Sequence, residues 1–381
     1  MNGTQANIRD EVDAALNDAA QRYFRDRYSF EDRRRLPAAT RRFCADSWRE
    51  LAEMGWLGLA VPEDRGGFGL RLSSVALLAE TGGRVLLNEP FISTGVVAAY
   101  LIAQLGTEQQ RADIEPLVQG DLLYAVGLGS EVGLPSEAKD LTVGPNGISG
   151  KLVVVQDADI AQKALVRATD QHGVHAYIID LAAPGVSKKA YRLADGRGAA
   201  TLEFVNAPAA QLGCVPADQE TVAIQQACCL GALTSAADSL GAMSVAFDTT
   251  LDYLKTRVQF GRPIGTNQAL QFRAVDMFLL LAEARAVIAS AVDTYDIDSA
   301  SFARSVHAAK AIVGRAARSL AQEAVQLHGG IGMTEEHIVS HCLRRVIVNE
   351  SLFGTPADHF EWFALQDTQA AYSRQPTEAM P

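Results

Sequence analysis

Arg257-Val258-Gln259-Phe260-Gly261-Arg262-Pro263-Ile264-Gly265 interrupts an otherwise helical half of the chain. Pro263 lacks the backbone N–H that a helix interior needs, and Gly261 and Gly265 favour turns, so a helix arriving from the N-terminal side ends near Arg257. The flanking segments are rich in Ala and Leu, and further breaks fall at Asp296 to Ser301 and at Gly329 to Gly332. Long helices joined by short breaks predict a bundle from about Glu220 to about residue 370.

Upstream of Glu220 the pattern is different. Short β-branched runs at Lys151 to Val155, His175 to Ile179 and Thr201 to Val205 are separated by turn signals such as Pro145-Asn146-Gly147 and Asp195-Gly196. They predict a small, mainly antiparallel β domain. Before it, Trp48, Leu51 and Met54, then Val75, Leu77 and Leu78, repeat at helical spacing, and Pro62 to Gly69 reads as a loop between them. The expected class is therefore α+β, with an N-terminal helical domain over 1–118, a β domain over 119–218 and a C-terminal four-helix bundle over 219–381. This order is not an alternation of strand and helix, which disfavours a doubly wound dinucleotide fold.

Composition narrows the function classes. The chain has 381 residues, 48% of them hydrophobic and 21% charged, as in a globular protein with a sizeable core. A net charge of −11 argues against nucleic-acid binding. The densest arginine run, Arg22 to Arg42, is interleaved with Asp26, Glu31 and Asp32 and reads as a solvated face. Five cysteines without metal-ligand spacing read as free thiols in a reducing compartment, and no metal site is expected. The charged N-terminal segment reads as no secretory signal, and no apolar run reads as membrane-spanning, so a cytoplasmic protein is expected.

Two segments carry residues suited to an anionic ligand. Arg257 offers a planar donor fork for a pyrophosphate with Phe260 as a flat apolar surface beside it; alternatively Arg257 caps helix carbonyls and Phe260 is core. The glycines of Gln326-Leu327-His328-Gly329-Gly330-Ile331-Gly332 either end a helix or let backbone N–H groups approach a phosphate or ribose closely.

Taken together, and with Trp56-Leu57-Gly58-Leu59-Ala60-Val61-Pro62-Glu63-Asp64-Arg65-Gly66-Gly67-Phe68-Gly69 near the N-terminus, these segments resemble the acyl-CoA dehydrogenase family over nearly the whole chain. The resemblance implies FAD as cofactor, with Arg257, Phe260 and Gln268 reaching the flavin of a neighbouring subunit and Gln326, Gly329 and Gly330 holding its adenosine end. It also implies an acyl-CoA substrate and an electron-transfer acceptor.

The departures are as informative. Where the family has Trp-Ile-Thr against the flavin ring, this chain has Val154-Val155-Gln156, and Tyr124-Ala125-Val126-Gly127 followed by Leu128 to Leu134 replaces its other ring segment. Phe353, within Asn349-Glu350-Ser351-Leu352-Phe353-Gly354-Thr355, occupies the place of the family's catalytic glutamate, and no acid lies near Gly231 and Ala232, where some members carry it instead. A base must reach the carbon beside the thioester, and a phenyl ring accepts no proton. Glu350 is the weak alternative, with pairing to Arg344 or Arg345 as the competing reading; Asp358 and His359 stand at a helix start. The ending is most similar to the base-lacking small subunits of heteromeric family members, including pimeloyl-CoA and steroid side-chain enzymes. That likeness implies a base-bearing partner subunit in an α2β2 assembly. A self-sufficient dehydrogenase or oxidase with an unorthodox base, and a non-enzymatic scaffold, are the alternatives.

Overall fold

One helix, α8 (Ala217–Thr256), organises the molecule. To name it in order, the N-terminal domain holds α1 (Gly3–Arg27), α2 (Phe30–Arg35), α3 (Ala45–Glu53), α4 (Leu72–Val85), α5 (Ala99–Leu105), α6 (Glu108–Arg111) and α7 (Ile114–Val118). After α8 come α9 (Gln268–Thr294), α10 (Ser299–His328), α11 (Ile338–Ser351) and α12 (Pro356–Ser373). The computed structural model describes residues 3–35, 43–69, 72–129, 140–295 and 297–373.

Small residues dominate the middle of α8, which lets its neighbours approach closely. At the crossing with α4, a Cβ on Gly241 would lie 2.0 Å from the Glu80 carbonyl oxygen, and one on Gly83 2.0 Å from that of Asp238. Only glycine permits that contact. By length and composition α8 is also apolar enough to cross a membrane, the one such helix among the described residues, which corrects the sequence expectation. Its apolar window is 94% buried inside the protein, so the helix is apolar all round because it is surrounded by protein.

The β domain is a mixed sheet that is mainly antiparallel, as expected. Its strands are β1 (Tyr124–Gly127), β2 (Leu141–Gly144), β3 (Gly147–Gln156), β4 (Lys163–Asp170), β5 (Gly173–Asp180), β6 (Val186–Arg192), β7 (Gly198–Ala207) and β8 (Ala210–Gln211). They run in the order β6-β7-β3-β2-β4-β5-β8, and β1 joins through β4. The pairings β2-β3, β3-β7, β4-β5, β5-β8 and β6-β7 are all antiparallel. Both β1 and β2 pair with β4 in parallel, which local sequence pattern does not encode. Pro145-Asn146 and Asp195-Gly196 do form the turns that their composition predicts.

The three domains meet at a buried polar network. Arg197 donates from Nε to Asp195 Oδ2 at 2.6 Å and from Nη2 to Asn349 Oδ1 at 2.6 Å. Asn349 Nδ2 donates to Asp238 Oδ1 at 2.6 Å, and Arg345 to the Leu87 carbonyl at 2.6 Å. Arg33, expected on a solvated face, is instead 3% exposed and donates to the carbonyls of Leu86 and Asp195, each at 2.6 Å. Burial pushes the Asp195 carboxyl up, but Arg197 and Arg345 outweigh it and hold the group below its ordinary value. This network fixes the end of α11, and so the start of the Phe353 loop.

Candidate active site

Phe353 sits where α11 stops. Its φ is +55° and that of Gly354 is +98°, so the chain turns through two left-handed residues before α12 begins. Asp358 closes that helix start: its Oδ2 accepts from Thr355 N at 2.7 Å and Thr355 Oγ1 at 2.9 Å. The Asp358 carboxylate is thereby committed to capping. The ring of Phe353 lies on α8. A Cβ on Gly231 would come within 2.6 Å of Phe353 Cε1 and Cζ, so a phenyl ring lies against bare backbone where the sequence reading looked for an acid.

Glu350 points elsewhere. It pairs with Arg318 of α10, whose Nε donates to Oε2 at 2.6 Å, and it does not line the cavity beside Phe353. The expected partners are taken: Arg344 pairs with Glu335, and Arg345 lies between Asp195 and Asp238.

The cavity beside Phe353 has a volume of 520 Å³. Val126 to Gly129, Val153 to Gln156, Ile92, Ser93 and the Ser351–Phe353 turn line it, so the fold brings together the segments picked out by sequence. Residues 130–134 lie outside the described residues. A β-bulge shapes the wall: from Leu152 to Val155 strand β3 advances three residues while β7 advances two, from Leu202 to Ala200. Val154 takes φ +55° there, its N–H is satisfied by the Tyr191 hydroxyl at 2.9 Å, and Val153 and Val154 stand exposed. Among the described lining residues the sheet thus offers aliphatic side chains with Lys151 and Gln156, and no aromatic face. Ser93 and Ser351 supply the hydroxyls of the lining, and they donate to Asp157 Oδ2 at 2.5 Å and to the Val348 carbonyl at 2.9 Å. The carboxylate among the lining residues is Asp140, exposed like Lys151.

Sequence reading missed Asp157 and His307, and with His307 the partner of His359. Asp157 is buried behind Ser93, and burial pushes its carboxyl up to about 7. Behind Phe353, His359 Nε2 lies 3.1 Å from the Phe353 carbonyl and His359 Nδ1 lies 2.9 Å from His307 Nδ1. A carbonyl only accepts, so His359 carries its proton on Nε2 and His307 donates from Nδ1. Trp362 stacks on His307 with centroids 4.1 Å apart. His307 and Trp362 line a second cavity of 460 Å³ between α8, α10 and α12, together with Cys229.

The other expected residues form an exposed edge. β9 (Val258–Gln259) and β10 (Arg262–Pro263) pair across a turn in which Phe260 and Gly261 have φ of +53° and +77°. Phe260 is 101% exposed, which removes the core reading. The Arg257 main chain continues the helix, with its N–H donating to Tyr253 O at 2.8 Å, while its exposed guanidinium has no hydrogen-bond partner among the described residues. Gln268, Gln326, Gly329 and Gly330 are exposed too, and nothing lies within 4 Å of a Cβ placed on either glycine. A free donor fork, an outward ring and open backbone are what a pyrophosphate and adenosine require. None of these six residues lines the 520 Å³ cavity.

Comparison with known proteins places this architecture. Residues 4–121 match the acyl-CoA dehydrogenase N-terminal domain and residues 222–360 its C-terminal domain. The acyl-CoA dehydrogenase IpdE2 of Mycolicibacterium smegmatis is 29% identical over 82% of this chain and 84% of its own length. The human mitochondrial short-chain specific acyl-CoA dehydrogenase is 27% identical over 82% and 80%. Among solved structures, the Tcur3481-Tcur3483 steroid acyl-CoA dehydrogenase superposes with a TM-score of 0.86 at 28% identity, covering 96% of this chain and 99% of that one. The chain belongs to the acyl-CoA dehydrogenase family. It is a flavin-dependent oxidoreductase, and its cofactor is FAD.

Proposed function

We propose that this chain is the base-lacking subunit of a heteromeric α2β2 acyl-CoA dehydrogenase, which removes hydrogen across the α,β bond of an acyl-CoA thioester. The observation that carries this reading is the Phe353 ring seated on Gly231, which leaves an apolar contact at both places where a base would stand. Bound FAD would supply the hydride acceptor. On this reading Arg257 binds the cofactor's pyrophosphate, Phe260 covers it from outside, Gln268 and Gln326 add amide contacts, and Gly329 and Gly330 admit the adenosine. The separation of that edge from the ring cavity favours a cofactor shared with a second chain, as does the outward Phe260.

The base-bearing subunit supplies the carboxylate and the better ring pocket, and an electron-transfer acceptor reoxidises the assembly. The likeness to a steroid acyl-CoA dehydrogenase supports a steroid side-chain acyl-CoA as substrate class. The test is the flavin content and acyl-CoA-dependent flavin bleaching of the purified chain, alone and with the subunit that co-purifies from its host. Flavin well below one per protomer and negligible bleaching alone, both restored by the partner, are expected. Stoichiometric flavin that an acyl-CoA reduces in the isolated chain overturns the proposal.

A further inference from the structure

Tyr253 and His328 join the two segments of the exposed edge. Tyr253 lies one turn before Arg257, and its carbonyl accepts the Arg257 N–H. His328 directly precedes Gly329. The two rings stack with centroids 4.5 Å apart and an interplanar angle of 28°, and the His337 ring, tilted by 54°, lies 4.4 Å from His328. His328 is 3% exposed, and its Nδ1 lies 2.8 Å from the Ala324 carbonyl, so Nδ1 carries the proton.

Burying an imidazole costs desolvation that a leucine or phenylalanine would avoid. What the imidazole adds is a short ring, tied to its own helix, that packs against Tyr253 and His337. Gly332 is packed against the same residue, since a Cβ there would come 2.9 Å from His328 Cβ. The end of α8 and the end of α10 are thereby held in one spacing, with Arg257 beyond one and Gly329-Gly330 beyond the other.

We propose that His328 is a positioning residue which, through its stack with Tyr253, sets the distance between the Arg257 hairpin and the Gly329-Gly330 turn so that both engage one pyrophosphate-bearing cofactor. The inference rests on the reading of Arg257 and these glycines as the FAD-binding edge. It adds that their affinity depends on a side chain that never touches the ligand.

The test uses the full chain in the assembly that it forms in its host, depleted of flavin and titrated with FAD. His328→Ala raises the FAD dissociation constant about tenfold, the scale of one lost stacked pair. His328→Phe, which keeps the stack, stays within about twofold of the parent. Melting temperature is followed in parallel, and if His328→Ala fails to fold, Tyr253→Leu removes the same stack from its half-buried side. Unchanged FAD affinity in His328→Ala, or in Tyr253→Leu where that variant replaces it, with weakened binding in Arg257→Ala overturns the inference alone. Unchanged affinity in Arg257→Ala overturns the edge reading on which it rests. A loss in His328→Phe equal to that in His328→Ala rules out stacking as the cause.

Discussion

The Phe353 ring rests on the Cα of Gly231, with a Cβ on that glycine predicted to fall 2.6 Å from Cζ of the ring. Phe353 belongs to the turn after α11 and lines the cavity beside the sheet, and Gly231 belongs to α8. Each residue makes the other necessary. Gly231→Ala should therefore destabilise the chain by about 1–3 kcal/mol through overpacking. Phe353→Leu in the same chain should recover part of that loss. Urea unfolding of the two single variants and the double variant checks the coupling, and additive effects would show that the ring moves aside freely.

Restoring an acid to the turn should not restore chemistry. Phe353→Glu places a carboxylate against Gly231, yet the sheet still presents Val153 and Val154 to the ring cavity. The isolated variant is expected to show no substantial acyl-CoA dehydrogenation in a dye-reduction assay. Activity near that of the assembled enzyme would mean that Phe353 alone silences the chain.

The nearby acids should be dispensable. Glu350 is held by Arg318, and Asp140 is exposed. Glu350→Gln and Asp140→Asn should each leave the turnover of the native assembly within about twofold, whereas loss of a general base lowers it about 100- to 10,000-fold. Glu350→Gln should also change stability by less than about 1 kcal/mol, because a partly exposed pair is screened by solvent. A rate loss of general-base size in either variant would identify the base and falsify the silent-subunit assignment.

Acid should loosen the Phe353 turn through its histidines. Burial, followed by the charge of its neighbour His359, holds His307 down at about 3; burial, followed by Lys310, holds His359 down at about 4. Both folded values lie below the unfolded one near 6.5, so the unfolded chain takes up protons first as pH falls. Stability is full above about 6.5 and declines below it, by up to about 1.4 kcal/mol per pH unit for each histidine, until about pH 4 for His359 and about pH 3 for His307. Melting temperature between pH 7 and pH 4.5 measures this decline, and His307→Gln should make it shallower; an identical slope in that variant would place the acid sensitivity elsewhere.

Much of the molecule was legible in the chain because it is written locally. The turns at Pro145-Asn146 and Asp195-Gly196 and the helix breaks at Gly261 to Pro263 and Gly329 depend on backbone preferences of a few adjacent residues. So does the order helical, β, helical. The absence of an acid at Phe353 and of an aromatic at Val154 is a matter of residue identity, which sequence states outright.

Only tertiary structure decided which side chains meet. That Glu350 faces Arg318 and not Arg344 depends on the rotation of α11 against α10. That Arg33 leaves a charged run to become buried depends on an arrangement of three domains around Asp195. His307 and His359 are 52 residues apart, and nothing in their spacing announces a shared hydrogen bond. Side-chain identity and turn chemistry are properties of the chain, whereas long-range contacts follow from helix rotation, bulges and close packing, which are settled only when every element is in place.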